Sequence, residues 1–372
     1  ENTSSIEAGF EAAFWDNRLY LDFTYYKTDS RNQILKLATT AASGYTSQVR
    51  NAGHIRNRGY EIQLGAVPIQ TSKGFRWNLD LNYGANSSKV VKLDDEGLIT
   101  SYQLYSSGIQ ILASVGEAYG TLFGTSYVRD ANGNVVVDAN GLPKISTTNK
   151  TLGKFTPDWT GGISNTFSYR SLSLSFLIDA SVGGSIFSNT NKTGKYTGVL
   201  ANTLSGRDAE HGGLWYYTDA MGNNVRLSES PSYSVSSDGL YYAQVNGQST
   251  RVYQDGIMVE GVTESGSKNE EVVSAEKYYH RIYSIAEANV YDASYVKLRE
   301  VALSYRLPRL WTQKLHLQEA SVTLTGRNLW TIYKSVPNID PESALTTGNA
   351  QGVEAYSLPT TRSFGVNLSV KF

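Results

Sequence analysis

Nine stretches of the chain alternate apolar and polar residues with a period of two, the mark of strands whose two faces meet different surroundings. "IEAGFEAAFW" sets Ile6, Ala8, Phe10, Ala12 and Phe14 against Glu7, Gly9, Glu11 and Ala13. "LYLDFTYYK" sets Leu19, Leu21, Phe23 and Tyr25 against Tyr20, Asp22, Thr24 and Tyr26. "GYEIQLGAV" and "FRWNLDLNYG" alternate on either side of "TSKG" and predict a hairpin. "WTGGISNTFSY" and "LSLSFLIDA" meet at Arg170 and Ser171. "YVKLREVALSYRLP" changes phase near Arg299, where a β-bulge is expected. "EASVTLTGRNLWTIY" follows, and the final stretch, "SFGVNLSVKF", carries Phe364, Val366, Leu368, Val370 and Phe372 on one face. Helical periodicity is weak throughout, so the predicted class is all-β and antiparallel.

Alternation alone does not separate a membrane barrel from a soluble sandwich, because both cover one face of each strand. The connections discriminate. Those after the odd strands are short: "DNR", "TSKG", the Arg170–Ser171 step and "RLWTQKLHL". Those after the even strands are long, at about Lys36 to Ile55, Asp94 to Asp158, Gly198 to Ser294 and Lys334 to Ser357. Loops beyond about 12 to 15 residues are uncommon in compact domains. Four at one end of a strand array predict a barrel with short periplasmic turns and long extracellular loops. Glu7, Glu11, Asp22, Glu61, Arg76 and Asp80 fall on the polar face, which suits a wet lumen better than a sandwich core.

Composition narrows the chemistry. The 33 Lys and Arg balance 34 Asp and Glu, so nucleic-acid binding is not expected. Cysteine is absent, which removes disulfides, thiolate metal sites and Cys nucleophiles. No apolar run is long enough for a transmembrane helix, a test that does not bear on β-barrels. "ENTSSIEAGF" lacks the basic and apolar regions of a signal peptide, so a removed leader or an internal start is expected. The 26 tyrosines suit wet interfaces and membrane-interface belts. Nine strands leave two open edges, so the chain is expected to be part of a larger barrel or to pair with another chain.

"SIAEANVYDASYVKLREVALSYRLP" (Ser284 to Pro308), "TGRNLWTIYKSVPNIDPES" (Thr325 to Ser343) and "LPTTRSFGVNLSVKF" resemble the C-terminal portion of SusC/RagA-type TonB-dependent outer-membrane transporters of Bacteroidetes. "RNAGHIRNRGYEIQLGA" and "YGTLFGTSYVRDANGN" extend the resemblance in the same order. It implies the last nine strands of a barrel of about 22 strands, with the plug and TonB box not within this stretch. It also implies outer-membrane location, import of an oligosaccharide or peptide, a SusD-like surface lipoprotein as lid, coupling to the TonB complex, and biogenesis through the barrel-assembly machinery. Phe364, Val366, Leu368, Val370 and Phe372 then look like the assembly signal; the plainer reading makes Phe372 a lipid-facing girdle residue.

No enzyme signature is present. His54, His211, His280 and His316 are scattered without metal-ligand spacing. "NTNKTGKYTG" lacks the spacing of a P-loop, and no nucleophile elbow occurs. "RDANGNVVVDANGLP" places Asp130, Asn132 and Asn134 as in the start of a calcium loop but lacks the twelfth-position Glu, and two Asn-Gly turns read as hairpins. No cofactor is expected beyond that calcium possibility. The third long loop carries Trp215, Tyr216, Tyr217, Tyr241, Tyr242, Tyr278, Tyr279 and Tyr283, rings that suit sugar stacking and equally suit the packing of a long loop. Tyr283 aside, these are the candidate substrate contacts. A display barrel that passes no cargo, and a soluble β-sandwich glycan-binding module with a second apolar face toward a core, are the alternatives.

Overall fold

The computed structural model describes residues 1–38, 44, 47–94, 97, 99–314, 316–348 and 350–372. Parts of the first, second and fourth expected loops, at 39–43, 45–46, 95–96, 98 and 349, lie outside the described residues.

Each of the nine alternating stretches is a strand, and together they form one sheet. We label them β1 (Asn2–Phe14), β2 (Leu19–Arg31), β3 (His54–Gln70), β4 (Phe75–Lys92), β5 (Trp159–Tyr169), β6 (Leu172–Val182), β7 (Tyr295–Arg306), β8 (Glu319–Lys334) and β9 (Ser363–Lys371). Every strand pairs antiparallel with its sequence neighbour, in order from β1 to β9. Among the described residues β1 pairs only with β2 and β9 only with β8, so both edges of the sheet are open.

The register aligns the alternation across the whole sheet. Ala12, Leu21, Leu64, Leu81, Ile163, Ile178, Leu298 and Trp330 form one continuous apolar row. Leu79, Asn165, Phe176, Val301, Gly326 and Phe364 form another; its one polar member, Asn165, accepts a hydrogen bond from Trp77 Nε1 at 3.0 Å. The other face carries Glu11, Asp22, Gln63, Asn82, Gly162, Asp179 and Lys297 in one row. Glu11 sits directly opposite Asp22. Like charges so placed repel, and water between the side chains relieves the cost.

No second layer covers the apolar face among the described residues. Phe10 is 54% exposed, Leu324 52% and Val366 74%. Fully burying such a side chain is worth about 1.5–3 kcal/mol, so a whole face of them in water would be incompatible with a stable soluble fold. The buried apolar clusters lie elsewhere, among the long connections: Ile109, Ile111, Leu122, Phe187, Ala286 and Val353 form one, and Trp215, Ala243 and Val252 another. The sandwich alternative, which needs a second layer over this face, is not what the described residues form. The apolar face is built for lipid, and the sheet is a segment of a transmembrane barrel wall.

Arg299 is the bulge. The ladder to β6 skips it between Leu298 and Glu300, and the ladder to β8 is irregular at the same place. The extra residue puts Arg299 on the polar face beside Glu300 and restores Val301 to the apolar face.

The turns at one end are short. Trp15, Asp16 and Asn17 all have positive φ, as does Arg170 in the two-residue turn between β5 and β6. The turn from β7 to β8 holds a short helix after Pro308. At the opposite end the connections span 32–53, 93–158, 183–294 and 335–362. The third begins at Gly183, not at the expected Gly198, because Gly183 and Gly184 both adopt left-handed φ (77° and 79°) and end β6. The residues between are ordered. Ser185–Ser188 pairs with Val290–Asp292 and with Val353–Glu354, and "NTNKTGKYT" forms helix α1 (Asn189–Thr197), capped by the Ser188 side chain. A second nine-residue helix, α2 (Ala275–Tyr283), packs against it. These helices depart from the nearly all-β reading because each is too short for a helical period to stand out in the sequence.

Candidate functional site

Three of the long connections interlock into a layer over one end of the sheet. Ile109, Ile111 and Leu122 come from the second connection, Phe187 and Ala286 from the third, and Val353 from the fourth. Val136 and Val262 add a parallel bridge between the second and third.

Two polar knots hold this layer. In the first, Lys297 Nζ on β7 donates to Asp340 Oδ1 at 2.6 Å and Glu342 Oε2 at 2.5 Å. Arg299 donates to Asp179 on β6 (Nε to Oδ2, 2.8 Å) and, through Nη1, to Glu342 Oε2 at 2.7 Å. Lys297 is 3% exposed. Burial alone would raise the carboxyl pKa values of Asp340 and Glu342; hydrogen bonds from Lys297 and Thr360 to the first, and from Arg299 and Lys297 to the second, outweigh it and hold both below the usual carboxylate range. The fourth connection is thus fastened to the polar face of the wall. In the second knot Glu354, fully buried, accepts from Ser188 Oγ (2.7 Å), Thr190 Oγ1 (2.6 Å) and Ser357 N (3.1 Å) at the N-terminus of α1, where a negative charge is favoured.

The candidate aromatic residues do not gather at one place. Trp215 and Tyr216 lie on Leu214–Thr218, in a sheet that also holds Gln248–Met258 and Tyr241–Val245. Both are buried. The Trp215 ring stacks on Tyr233 at 5.1 Å and meets the edge of Tyr241 at 5.8 Å; Tyr216 stacks on Tyr253 at 5.1 Å and donates to Asp255 at 3.1 Å. Their ring faces are occupied by the protein itself. Tyr217 and Tyr241 pack partly buried on the same cluster, and Tyr242 is half-buried on the other face of its strand.

Tyr278 and Tyr279, both on α2, line an open cleft of about 670 Å³. Tyr127 and Pro143 from the second connection and Asn202 and Met258 from the third complete its walls. Tyr279 donates its hydroxyl to the carbonyls of Asn202 and Ser205, each at 3.2 Å, and its ring meets Tyr278 edge-on at 5.1 Å. Burial pushes the hydroxyl pKa values of Tyr127 and Tyr278 upward, so both stay neutral donors. The cleft offers aromatic walls, carbonyl acceptors and phenolic donors, a set suited to neutral polar chains such as peptide backbone or sugar hydroxyls. Tyr127 was missed at the sequence level, as was the ion pairing of Lys297 and Arg299 with Asp340 and Glu342; the run "NIDPES" carries the two acids, but only the fold brings them to β7.

Asp130 accepts from Asn132 N, Asn134 N and Asn134 Nδ2 and so closes its hairpin, the arrangement Asn-Gly turns require. Among the described residues, no group of three or more His, Cys, Asp or Glu comes together in a way that could hold a metal ion. His54 pairs with Asp29, His211 with Asp208, and His280 stacks on Tyr196 at 4.1 Å. His316 sits in the β7–β8 turn with φ 57°. Phe364, Val366, Leu368 and Val370 lie on the apolar face of β9, and Phe372, 84% exposed, follows its end.

An open antiparallel wall with a lipid-facing side and an interlocked loop layer defines a segment of an outer-membrane-type barrel. No family model matches the chain. Over its full length it is similar to two proteins of Formosa agariphila, TonB-dependent receptor P3 (26% identical over 401 residues) and TonB-dependent receptor P26 (24% over 400). It spans about a third of the length of these curated relatives (34% of each). Its fold matches a chain of the RagAB peptide transporter with a TM-score of 0.62 and 19% identity, covering all of this chain and 35% of that one. The same importer in its open-open state also gives 0.62, at 17% identity. The resemblance thus holds in sequence to TonB-dependent receptors along the whole chain, and in fold to the RagAB transporter. The relatives are receptors and transporters, not enzymes.

Proposed function

We propose that the chain forms part of the wall and outer loop layer of a TonB-dependent importer of oligopeptides or oligosaccharides in a bacterial outer membrane. The observation that carries this reading is the nine-strand wall, its apolar side uncovered among the described residues, with three connections interlocked at one end and short turns at the other. The loop layer faces outward and meets substrate through the cleft of Tyr127, Tyr278 and Tyr279. A SusD-like surface lipoprotein is the partner that would close over it, as a separate lid. Energy coupling through TonB belongs to regions of the parent protein that this chain does not span. The alternating face of β9 serves as the strand recognised by the barrel-assembly machinery.

Uptake by intact cells carrying the parent transporter tests the reading. Labelled peptide and oligosaccharide mixtures should accumulate only in cells with functional TonB. Tyr278→Ala with Tyr279→Ala should lower uptake by about tenfold, two aromatic contacts at roughly 0.5–1.5 kcal/mol each. Uptake that is indifferent to TonB overturns the import mechanism, and uptake indifferent to the two tyrosines overturns the cleft.

A further inference from the structure

The apolar face of the wall ends abruptly on β2, β3 and β4. From the short-turn end upward, the outward positions of β2 are Leu19, Leu21, Phe23 and Tyr25, those of β3 are Ala66, Leu64, Ile62 and Tyr60, and those of β4 include Leu79, Leu81, Tyr83 and Ala85. An aromatic ladder closes the band: Tyr60 stacks on Tyr83 at 5.9 Å, and Tyr83 lies 5.4 Å from Trp159. On β4 the apolar run from Phe75 to Ala85 is about 25 Å tall for a strand tilted as in a barrel, the thickness of an apolar belt.

The next outward positions are basic. Lys27 pairs in register with Arg58, and Asp29, Arg56 and Lys89 form the row above. Asp29 is already engaged, by Arg56 Nε at 2.8 Å and His54 Nε2 at 2.5 Å. Among the described residues, no carboxylate lies within ion-pairing distance of Lys27, Arg58 or Lys89. A hollow of about 470 Å³ straddles the border, with Tyr25 and Tyr60 on its apolar side and Arg58, Ser87 and Lys154 on its polar side. Lys154 is paired with Asp158 at 2.7 Å, which leaves Arg58 as the unpaired cation in the hollow.

We infer that this hollow holds the phosphorylated headgroup of an anionic lipid of the outer leaflet, with the acyl chains lying on Phe23, Ile62 and Leu81 below. Charge complementarity selects this occupant. Planar guanidinium binds phosphate in a bidentate fork, and Arg58 stands on the outward face in register with Lys27 and Ser87. Aromatic rings at the border seat the glycerol or sugar level of the lipid. The inference rests on the proposed orientation, with the long connections outside.

The test uses the parent transporter, purified in neutral detergent and examined by native mass spectrometry. The probes are a bisphosphorylated glycolipid, its dephosphorylated form and inorganic phosphate. Wild type should retain the phosphorylated lipid at least tenfold better than the dephosphorylated one. Arg58→Ser with Lys89→Ser should lower retention roughly 25-fold, about fivefold per basic residue. Arg58→Lys with Lys89→Arg should keep most of it, and Arg309→Ser at the opposite end should keep all of it. A heat-modifiable gel band establishes that each variant is a folded barrel. Equal retention by the serine variant, equal binding of the dephosphorylated lipid, or inorganic phosphate bound as tightly as the lipid each overturns the inference. Protease cleavage of a site inserted at 131–134 on intact cells tests orientation alone. If that site is cut and the lipid is not retained, only the lipid contact falls.

Discussion

Lys297 shows what a single residue can fasten. It is a buried cation between two carboxylates from another part of the chain, and breaking such a cluster by removing one partner costs about 3–5 kcal/mol because the remaining charges stay buried. Lys297→Met keeps the length of the side chain and removes the charge. It leaves Asp340 with only the Thr360 hydroxyl and the Glu342 N–H. The barrel wall has no need to unfold in response, since the fourth connection can detach. Amide exchange over residues 336–345 should therefore rise by about 100-fold or more while exchange in β4–β6 stays unchanged. The pH dependence has a definite sign. Asp340 and Glu342 are held below their ordinary pKa values, so their stabilisation is fully present above the ordinary carboxylate range and is lost as pH falls through it and below. The difference between wild type and Lys297→Met should shrink below about pH 4, where the carboxyls take up protons in both. A difference that is constant from pH 7 to pH 3 would show that the lysine acts by packing, not by charge.

Within one strand the two faces predict opposite responses to the same substitution. Ile163 on β5 faces outward between Leu81 and Ile178, and Ser164, its neighbour in sequence, faces inward beside Asp80. Ile163→Arg near mid-height of the apolar band should cost about 2–4 kcal/mol, whereas Ser164→Arg, in water and next to a carboxylate, should cost under about 1 kcal/mol. Denaturant unfolding in lipid vesicles measures both, and equal costs would remove the lipid-facing assignment. This contrast was legible in the sequence because a strand's period is fixed at two residues, and the same holds for the bulge at Arg299, where the phase slips. The loop layer was not legible to the same degree. Helix α1 starts at the Ser188 cap, and Trp215 is buried by Ala243 and Val252 and by the rings of Tyr233 and Tyr241, all from later strands of its sheet. A run of tyrosines announces aromatic packing without saying whether protein or cargo supplies the partner. Tyr278 and Tyr279 came to the cleft through the geometry of α2, which no local pattern encodes.

At the scale of the whole molecule, the two free edges decide how the chain behaves alone. β1 runs for 13 residues and β9 for nine, each with one side of its backbone unpaired among the described residues. In hydrocarbon every unsatisfied N–H or C=O costs several kcal/mol, so two edges together exceed the stability of any domain of this size. The sheet can escape only by closing on itself or by pairing with strands that supply the missing partners. Closure of nine strands on themselves would force the inner face to converge. Lys297, Arg299, Glu342 and Asp179 already occupy that face together with the fourth connection, and a narrow lumen would have no room for them. The chain should therefore fail to give a heat-modifiable barrel when refolded alone into vesicles. It should assemble when refolded with a second chain carrying the other two thirds of the parent protein, with amide protection then appearing at β1 and β9 as strongly as at β5. A sealed pore formed by this chain alone, or protection at its edges without the second chain, would show that the nine strands are self-sufficient and that the wall they build belongs to a smaller barrel than the relatives possess.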